Sequence, residues 1–178
     1  SAGAREITEN GAPSPIDADL VVADADGLLS GATVRIIAGY VRGEDLLDFA
    51  SANGISGAWN ATSGTLTLAG SATVTEYQDA LRSVTYQNTS DDPSAAPRTV
   101  RFSVTDGDAS DGDTKALSVE AVNDAPRGDA ETYAASAVAN LVIDQGNGVL
   151  GNDSDPDNAG DDLTAVLVTA PTLGQLTL

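Results

Sequence analysis

Short segments in which apolar and polar residues alternate are the main pattern of this chain. The clearest is "RTVRFSVT", where Val100, Phe102 and Val104 share one face and Thr99 and Arg101 share the other. A period of two is that of a β-strand with one buried and one solvated face. The same period recurs in "ATVRI" (32–36), "GTLTL" (64–68), "SVTY" (83–86) and "ALSVEA" (116–121). Many short strands separated by turn residues are typical of an antiparallel β-sandwich.

One segment follows a helical period instead. In "TEYQDALR", Tyr77, Ala80 and Leu81 recur at the spacing of one helix face. Thr75 and Gln78 have the spacing of a capping box, in which the two residues satisfy each other's free main-chain donors. The segment therefore predicts a single short helix among the strands.

The order of motifs starts again after "VNDAP". An acidic loop, a strand and a Gly-x-Leu-Thr-Leu segment occur first around "DADGLLSGATVRI" and again around "NDSDPDNAGDDLTAVLV". We therefore expect an all-β fold of tandem antiparallel β-sandwiches, with the one helix in the first. Residues 1–124 would be a complete repeat and residues 125–178 the N-terminal part of a second, truncated one. Because a half sandwich exposes unpaired strand edges, we also expect strand exchange or edge pairing with a neighbouring chain.

The charge and the missing residue types narrow the function. Eight basic residues against 27 acidic ones give a net charge of −19, so we expect no binding to nucleic acid or to anionic lipid. We expect no membrane insertion either, because no apolar run is long enough to span a bilayer. The absence of Cys and His removes disulfides and the nitrogen and sulfur ligands of zinc. Oxygen ligands suit hard cations, and calcium takes six to eight of them.

The acidic residues are clustered between the apolar segments. The clusters are "VADADG", "RGED", "TDGDASDGD" and "NDSDPDNAGDD". Each contains turn-forming residues, so we expect the acids to lie in loops. A bound cation would offset their repulsion, and the spacing of Asp153, Asp155 and Asp157 resembles the first half of a calcium loop. The clusters thus predict Ca²⁺ as the bound ion.

Taken in order, the motifs resemble a known family. The first part is similar to the cadherin-like repeats of giant RTX-type bacterial adhesins exported by type I secretion, through "DADGLLSGATVRI", "GISGAWNATSGTLTLAGSATVTEYQDALRSVTYQN", "RTVRFSVTDG" and "VNDAP". The second part resembles the N-terminal half of a related bacterial immunoglobulin-like or cadherin-like repeat, through "GDAETY", "GVLGNDSDPDNAGDDLTAV" and "PTLGQLTL". The resemblance implies secretion to the bacterial cell surface and a rod of repeats, in which the partners are neighbouring repeats of the same polypeptide.

The resemblance also implies calcium near the junctions between repeats. An early Glu, a linker and an Asp-x-Asp loop supply the ligands there, and this chain offers Glu9, Asn123, Asp124, Asp153 and Asp155, with Asp106 or Asp157 completing the shell. Asp24 and Asp26 would serve the opposite pole. The linker departs from the family pattern at Ala121 and Ala125, so we expect one or two ions.

The expected function is that of a calcium-binding extender repeat of an adhesin, stiffened by interdomain Ca²⁺. The alternative is a calcium-assisted carbohydrate-binding module that takes a polysaccharide, with Trp59 as the sugar platform and Tyr40 and Tyr133 assisting if exposed. A lone Trp is more often a packing residue than a binding platform. Without His or Cys, only paired carboxylates could do catalysis, and these have a simpler use as ligands, so we expect no enzyme. Lys115, the one lysine, is predicted to be an exposed strand residue.

Overall fold

The structure is a computed structural model that describes residues 3–24, 27–107, 110–157, 163–172 and 174–176. The chain divides into two units, Ser1–Val122 and Asn123–Leu178. The boundary lies two residues before the end predicted for the first repeat. The assignment of each unit to a repeat stays a prediction.

The described part of the first unit contains nine strands and one α-helix. The strands are β1 (Arg5–Thr8), β2 (Ser14–Pro15), β3 (Leu28–Ala38), β4 (Asp45–Asp48), β5 (Ser56–Asn60), β6 (Thr65–Thr73), β7 (Thr85–Asn88), β8 (Arg98–Thr105) and β9 (Ser110–Glu120). A six-stranded sheet has the order β1-β9-β8-β3-β6-β5 and a three-stranded sheet the order β2-β7-β4. All pairs are antiparallel except β1 with β9, which run parallel. This mostly-β unit with two sheets is consistent with an all-β sandwich.

Each of the five segments chosen for its alternation overlaps a strand, and the strands are β3, β6, β7, β8 and β9. Their apolar faces form the core, since Val34, Leu68, Val100 and Leu117 are each at most 1% exposed. Burial of one face per sheet is what a period of two predicts. Strands β1, β2, β4 and β5 were not predicted.

The predicted helix is present as α1, Val74–Ser83, and its buried residues are the predicted Tyr77, Ala80 and Leu81. The predicted capping box was wrong. Thr73, the last residue of β6, is the N-cap, and its hydroxyl accepts a hydrogen bond from the Glu76 amide at 3.3 Å. The Glu76 carboxylate accepts one from the Thr73 amide at 2.8 Å, because a Glu at the third helical position reaches back to the N-cap.

Some acids predicted to lie in loops lie in strands. Asp111 and Asp113 belong to β9, where they pair with Val104 and Phe102 of β8. Asp45 begins β4 and is only 4% exposed. A carboxylate tolerates such burial only when hydrogen-bonded or paired with a cation, and Asp45 has both kinds of partner.

A buried polar cluster surrounds Asp45. Its Oδ1 accepts hydrogen bonds from the Tyr86 hydroxyl at 2.6 Å, the Asn88 amide at 2.9 Å and the Arg98 Nε at 3.3 Å. Its Oδ2 accepts one from the Val41 amide at 2.8 Å. Burial, together with the hydrogen bond to the Asp45 carboxylate, raises the pKa of Tyr86. Both oxygens of the buried carboxylate are therefore satisfied.

Lys115 is not the exposed strand residue that we expected. Its Nζ lies 3.8 Å from the Asp17 Oδ2, and the two side chains are 12% and 5% exposed. Lys115 lies directly opposite the fully buried Val100, and residues opposite each other share a face of the sheet. The position therefore carries the lysine toward the inner face, where Asp17 compensates its charge.

The second unit contains little regular structure in its described part. It has a 3₁₀-helix at Gln145–Asn147 and two isolated bridges, Arg127 to Ser154 and Ser136 to Ala139. The strand predicted at 163–168 is not formed, and Val168 is 93% exposed. An isolated strand has no pairing partner and no surface to cover, so an apolar segment alone does not form one. The strand predicted at 174–178 lies partly outside the described residues.

Candidate metal-binding residues

Glu9 is the most unusual of the predicted ligands, because its side chain is buried. It directly follows β1 and is 5% exposed. Its Oε1 accepts a hydrogen bond from the Val122 amide at 2.7 Å. Its Oε2 is buried and has no hydrogen-bond partner among the described residues. An unsatisfied buried carboxylate oxygen costs free energy that a bound cation would offset.

In the second unit, Asp124 and Asp157 come together. The Asp124 amide donates to the Asp157 Oδ2 at 2.5 Å, and one carboxylate oxygen from each lies within 4.8 Å of the other. The Asp124 Oδ2 is buried and has no hydrogen-bond partner in the described part of the chain. The Asn123 side-chain amide instead donates to the Asp124 carbonyl at 2.6 Å. Two carboxylates this close repel each other unless a cation or a proton lies near them.

Asp153 and Asp155 flank the bridge between Arg127 and Ser154. The Asp153 Oδ1 accepts a hydrogen bond from the Asp129 amide at 2.9 Å, and the Asp155 Oδ1 accepts one from the Asp157 amide at 3.0 Å. Both aspartates line a cavity of about 370 Å³ within this unit. Each carboxylate keeps a second oxygen that could bind an ion. The predicted loop thus gathers Asp153, Asp155 and Asp157 near one backbone bridge.

The ligands predicted for the opposite pole are not gathered in the same way. The Asp24 Oδ1 accepts a hydrogen bond from the Gly27 amide at 3.0 Å, which closes a turn. Asp26 lies outside the described residues. Among those that are described, neither Asp24 nor Asp106 belongs to a group of three acidic side chains close enough to share an ion.

The aromatic residues considered for a sugar platform have partners within the protein. Trp59, on β5, is partly buried against the core. Its ring meets Tyr40 edge to face, with the centroids 6.2 Å apart, and the Tyr40 hydroxyl donates to the Ala61 carbonyl at 2.5 Å. Tyr133 donates to the Asn147 carbonyl at 2.8 Å. Edge-to-face packing of Trp59 favours a structural role over a flat stacking surface.

The Asp45 cluster was missed, although the sequence carried a signal for part of it. In the best alternating segment, Arg98 falls on the same face as Val100 and Phe102. The structure shows that it is fully buried. A cation on the apolar face of a strand requires a buried acidic partner. No comparable signal identified Asp45 as that partner, because a loop acid and a strand acid look alike in "RGED".

No helix in the described ranges is long and apolar enough to cross a bilayer. Comparison with known proteins adds no family to these observations. No protein-family model, no curated protein and no solved structure matches the chain.

Proposed function

We propose that this chain is a calcium-binding structural repeat of a secreted bacterial adhesin, built from tandem cadherin-like or immunoglobulin-like sandwiches. Calcium would bind where the first unit ends and the acidic loops of the second begin. Ions that take ligands from both units would fix the angle between them. A series of such repeats would then form a stiff extender that holds an adhesive tip away from the cell.

The observation that carries the proposal is the unsatisfied Glu9 Oε2. The other carboxylate oxygen is held by the Val122 amide, and Asp124 follows Val122 by only two residues. A chain extends by at most about 3.6 Å per residue. Asp124 must therefore lie close to Val122, whose amide is hydrogen-bonded to Glu9. The buried Asp124 Oδ2 also lacks a hydrogen-bond partner among the described residues. Two such oxygens joined by a short tether support a shared ion.

Calcium fits this donor set better than other common metals. The candidate ligands are carboxylate and side-chain amide oxygens, which suit hard cations, whereas zinc prefers nitrogen and sulfur. Magnesium requires near-octahedral geometry at about 2.0–2.1 Å and gives up its waters reluctantly. Loops with aspartates at alternate positions adapt more readily to the larger and more flexible shell of calcium.

The test is calcium titration by calorimetry of the wild type and two variants. Glu9→Gln removes the charge of the buried carboxylate but keeps its shape. Glu6→Gln removes the charge of an exposed neighbour on β1 and serves as the matched control. We expect Glu9→Gln to weaken calcium binding at least about tenfold, since charge-assisted contacts are worth about 1.5–3 kcal/mol. Glu6→Gln should bind as the wild type does, and equal affinities for all three proteins would contradict the proposal.

A further inference from the structure

Half of β9 forms an open edge of the larger sheet. Strand β8 pairs with β9 from Ser110 to Leu117. On the other side, β1 pairs only with Leu117–Glu120. Residues 110–116 of β9 therefore have a partner strand on one side only, within the part of the chain that the structure describes. Natural proteins usually protect such an edge, because its unpaired main-chain groups invite another strand.

The part of β9 that pairs with β1, Leu117–Glu120, shows which main-chain groups of β9 point toward the open side. The Glu120 carbonyl accepts a hydrogen bond from the Glu9 amide at 3.0 Å, so Glu120 faces the β1 side. The amide and carbonyl of one residue point the same way in a strand, and the direction alternates from residue to residue. Gly112, Thr114 and Ala116 thus present their main-chain groups to the open side.

Two of these outward amides are already held by aspartates. The Gly112 amide donates to the Asp111 Oδ1 and the Thr114 amide donates to the Asp113 Oδ1, both at 2.7 Å. The carboxylates thereby occupy the donors that an added strand would need. A strand that brings its own cations could draw these carboxylates away and release the amides. An added strand would therefore compete with these carboxylates for the amides, and a strand that carries cations would do so at a lower cost.

A groove beside this edge is apolar with an acidic rim. It has a volume of about 310 Å³ and is lined by the segment 20–23, by Leu81, by 102–104 of β8 and by 111–113 of β9. Phe102 and Val104 lie directly opposite Asp113 and Asp111, so the four residues share one face of the sheet. A Lys or Arg side chain matches this lining, because its aliphatic stem packs on apolar surface while its charged end reaches a carboxylate.

We propose that the open half of β9 and this groove form a docking site for an extended, basic segment of a partner polypeptide. The segment adds as a strand beside residues 112–116 and places alternate Lys or Arg side chains over Asp111 and Asp113. Main-chain hydrogen bonds supply affinity and the acidic groove supplies specificity, as in other cases of strand addition. The net charge of −19 favours the approach of such a segment. Asp111 and Asp113 belong to the acidic cluster "TDGDASDGD", but neither is one of the residues named above as an individual calcium ligand.

The first test uses a fluorescent nine-residue peptide of alternating Lys and Val, blocked at both ends, and measures binding by anisotropy at physiological salt. Asp111→Asn with Asp113→Asn removes two charges at the groove. Asp48→Asn with Asp92→Asn removes two charges from exposed positions that do not line the groove. We expect the first pair to weaken binding at least about tenfold and the second less than about twofold, since distant surface charges are screened by salt. Equal weakening by both pairs overturns the proposal.

A second probe separates strand addition from charge attraction. The same peptide with alternate amides N-methylated keeps its charges but cannot form a continuous ladder. We expect one of the two methylation patterns to bind at least about tenfold more weakly, because main-chain bonds carry much of the affinity in strand addition. Hydrogen exchange at Thr114 and Ala116 should slow when the unmodified peptide binds. If both methylated peptides bind as tightly as the parent, or if exchange is unchanged, no strand is added and the proposal fails.

Discussion

Side chains from both sheets meet at the Asp45 carboxylate. Asp45 is on β4 and Tyr86 and Asn88 are on β7, in the smaller sheet, whereas Arg98 is on β8 in the larger sheet. A buried ion pair adds little net stability over apolar packing, but removing one member leaves an uncompensated buried charge. The cluster should therefore be sensitive to loss of any single partner.

Arg98→Met should destabilise the first unit by about 3–5 kcal/mol, because Asp45 would stay buried without its cation. Arg101→Met is the matched control, since Arg101 is exposed on the same strand. Surface changes of that kind cost within about 0.5 kcal/mol. Urea unfolding followed by Trp59 fluorescence measures both. Similar midpoints for the two variants would show that the buried pair carries no special cost.

Tyr86 should make the free energy of unfolding of the first unit fall at alkaline pH. Its pKa is raised above the ordinary 10.0, so the folded state favours the protonated hydroxyl. That contribution is fully present below pH 10.0 and is lost as the pH rises above this value. Tyr86→Phe should flatten the alkaline fall in melting temperature and cost about 1.5–3 kcal/mol at neutral pH through the lost bond to a charged acceptor. An unchanged alkaline fall in Tyr86→Phe would assign it to other groups.

Among the elements, the short helix shows what the sequence could predict. Its existence and buried face followed from the spacing of Tyr77, Ala80 and Leu81, but its start was placed two residues late. Thr73 is both the last residue of β6 and the N-cap of the helix. Because Thr73 continues the alternating pattern of β6, nothing in the sequence showed that the helix begins there. Element type is therefore easier to predict than the residue at which one element passes into the next.

Thr73→Ala should lower the stability of the first unit by about 1 kcal/mol, the usual effect of losing an N-cap side chain. Thr75→Ala is the control, because Thr75 lies inside the helix and is exposed. Alanine is the better helix former, so that change should be neutral or slightly stabilising. Thermal unfolding distinguishes the two. A larger loss for Thr75→Ala would favour the capping box expected from the sequence.

The capping box also predicts a weak dependence on acid. Hydrogen bonds from Thr73 lower the pKa of Glu76. Its contribution to stability is present above the ordinary value of 4.5 and is lost as the pH falls through the lowered pKa. Glu76→Gln should therefore reduce the acid sensitivity of the melting temperature. An acid limb identical to that of the wild type would show that this carboxylate does not contribute.

Among the strands, those with a clear alternating pattern could be predicted from the sequence and the others could not. Long central strands such as β3 and β8 bury every second residue and are readable from alternation. Strand β2 has two residues, and β5 carries a glycine and a partly buried Trp59, so neither shows a clear period. In the second unit the apolar segment 163–168 is present without a sheet, because pairing depends on partners that a single segment does not encode.

For the whole molecule, charge is the dominant property. A net charge of −19 opposes the folded state through mutual repulsion, and bound cations relieve it. Calcium should therefore raise the melting temperature and a chelator should lower it. At a free concentration 100 times Kd, linkage gives about 2.7 kcal/mol for each site. Magnesium should substitute poorly, and identical melting curves in calcium and in chelator would remove the basis for the metal sites.

The parallel pairing of β1 with β9 has a mechanical consequence. The first residue of β1, Arg5, lies beside Leu117, and its last residue, Thr8, lies beside Glu120, where β9 ends. Tension applied before Arg5 and after Glu120 pulls the two strands past each other along their length. Their hydrogen bonds, which lie across that direction, are then strained together in shear. An antiparallel terminal pair, pulled from adjacent ends, would open one bond at a time. The first unit is thus built to resist stretching between its own ends.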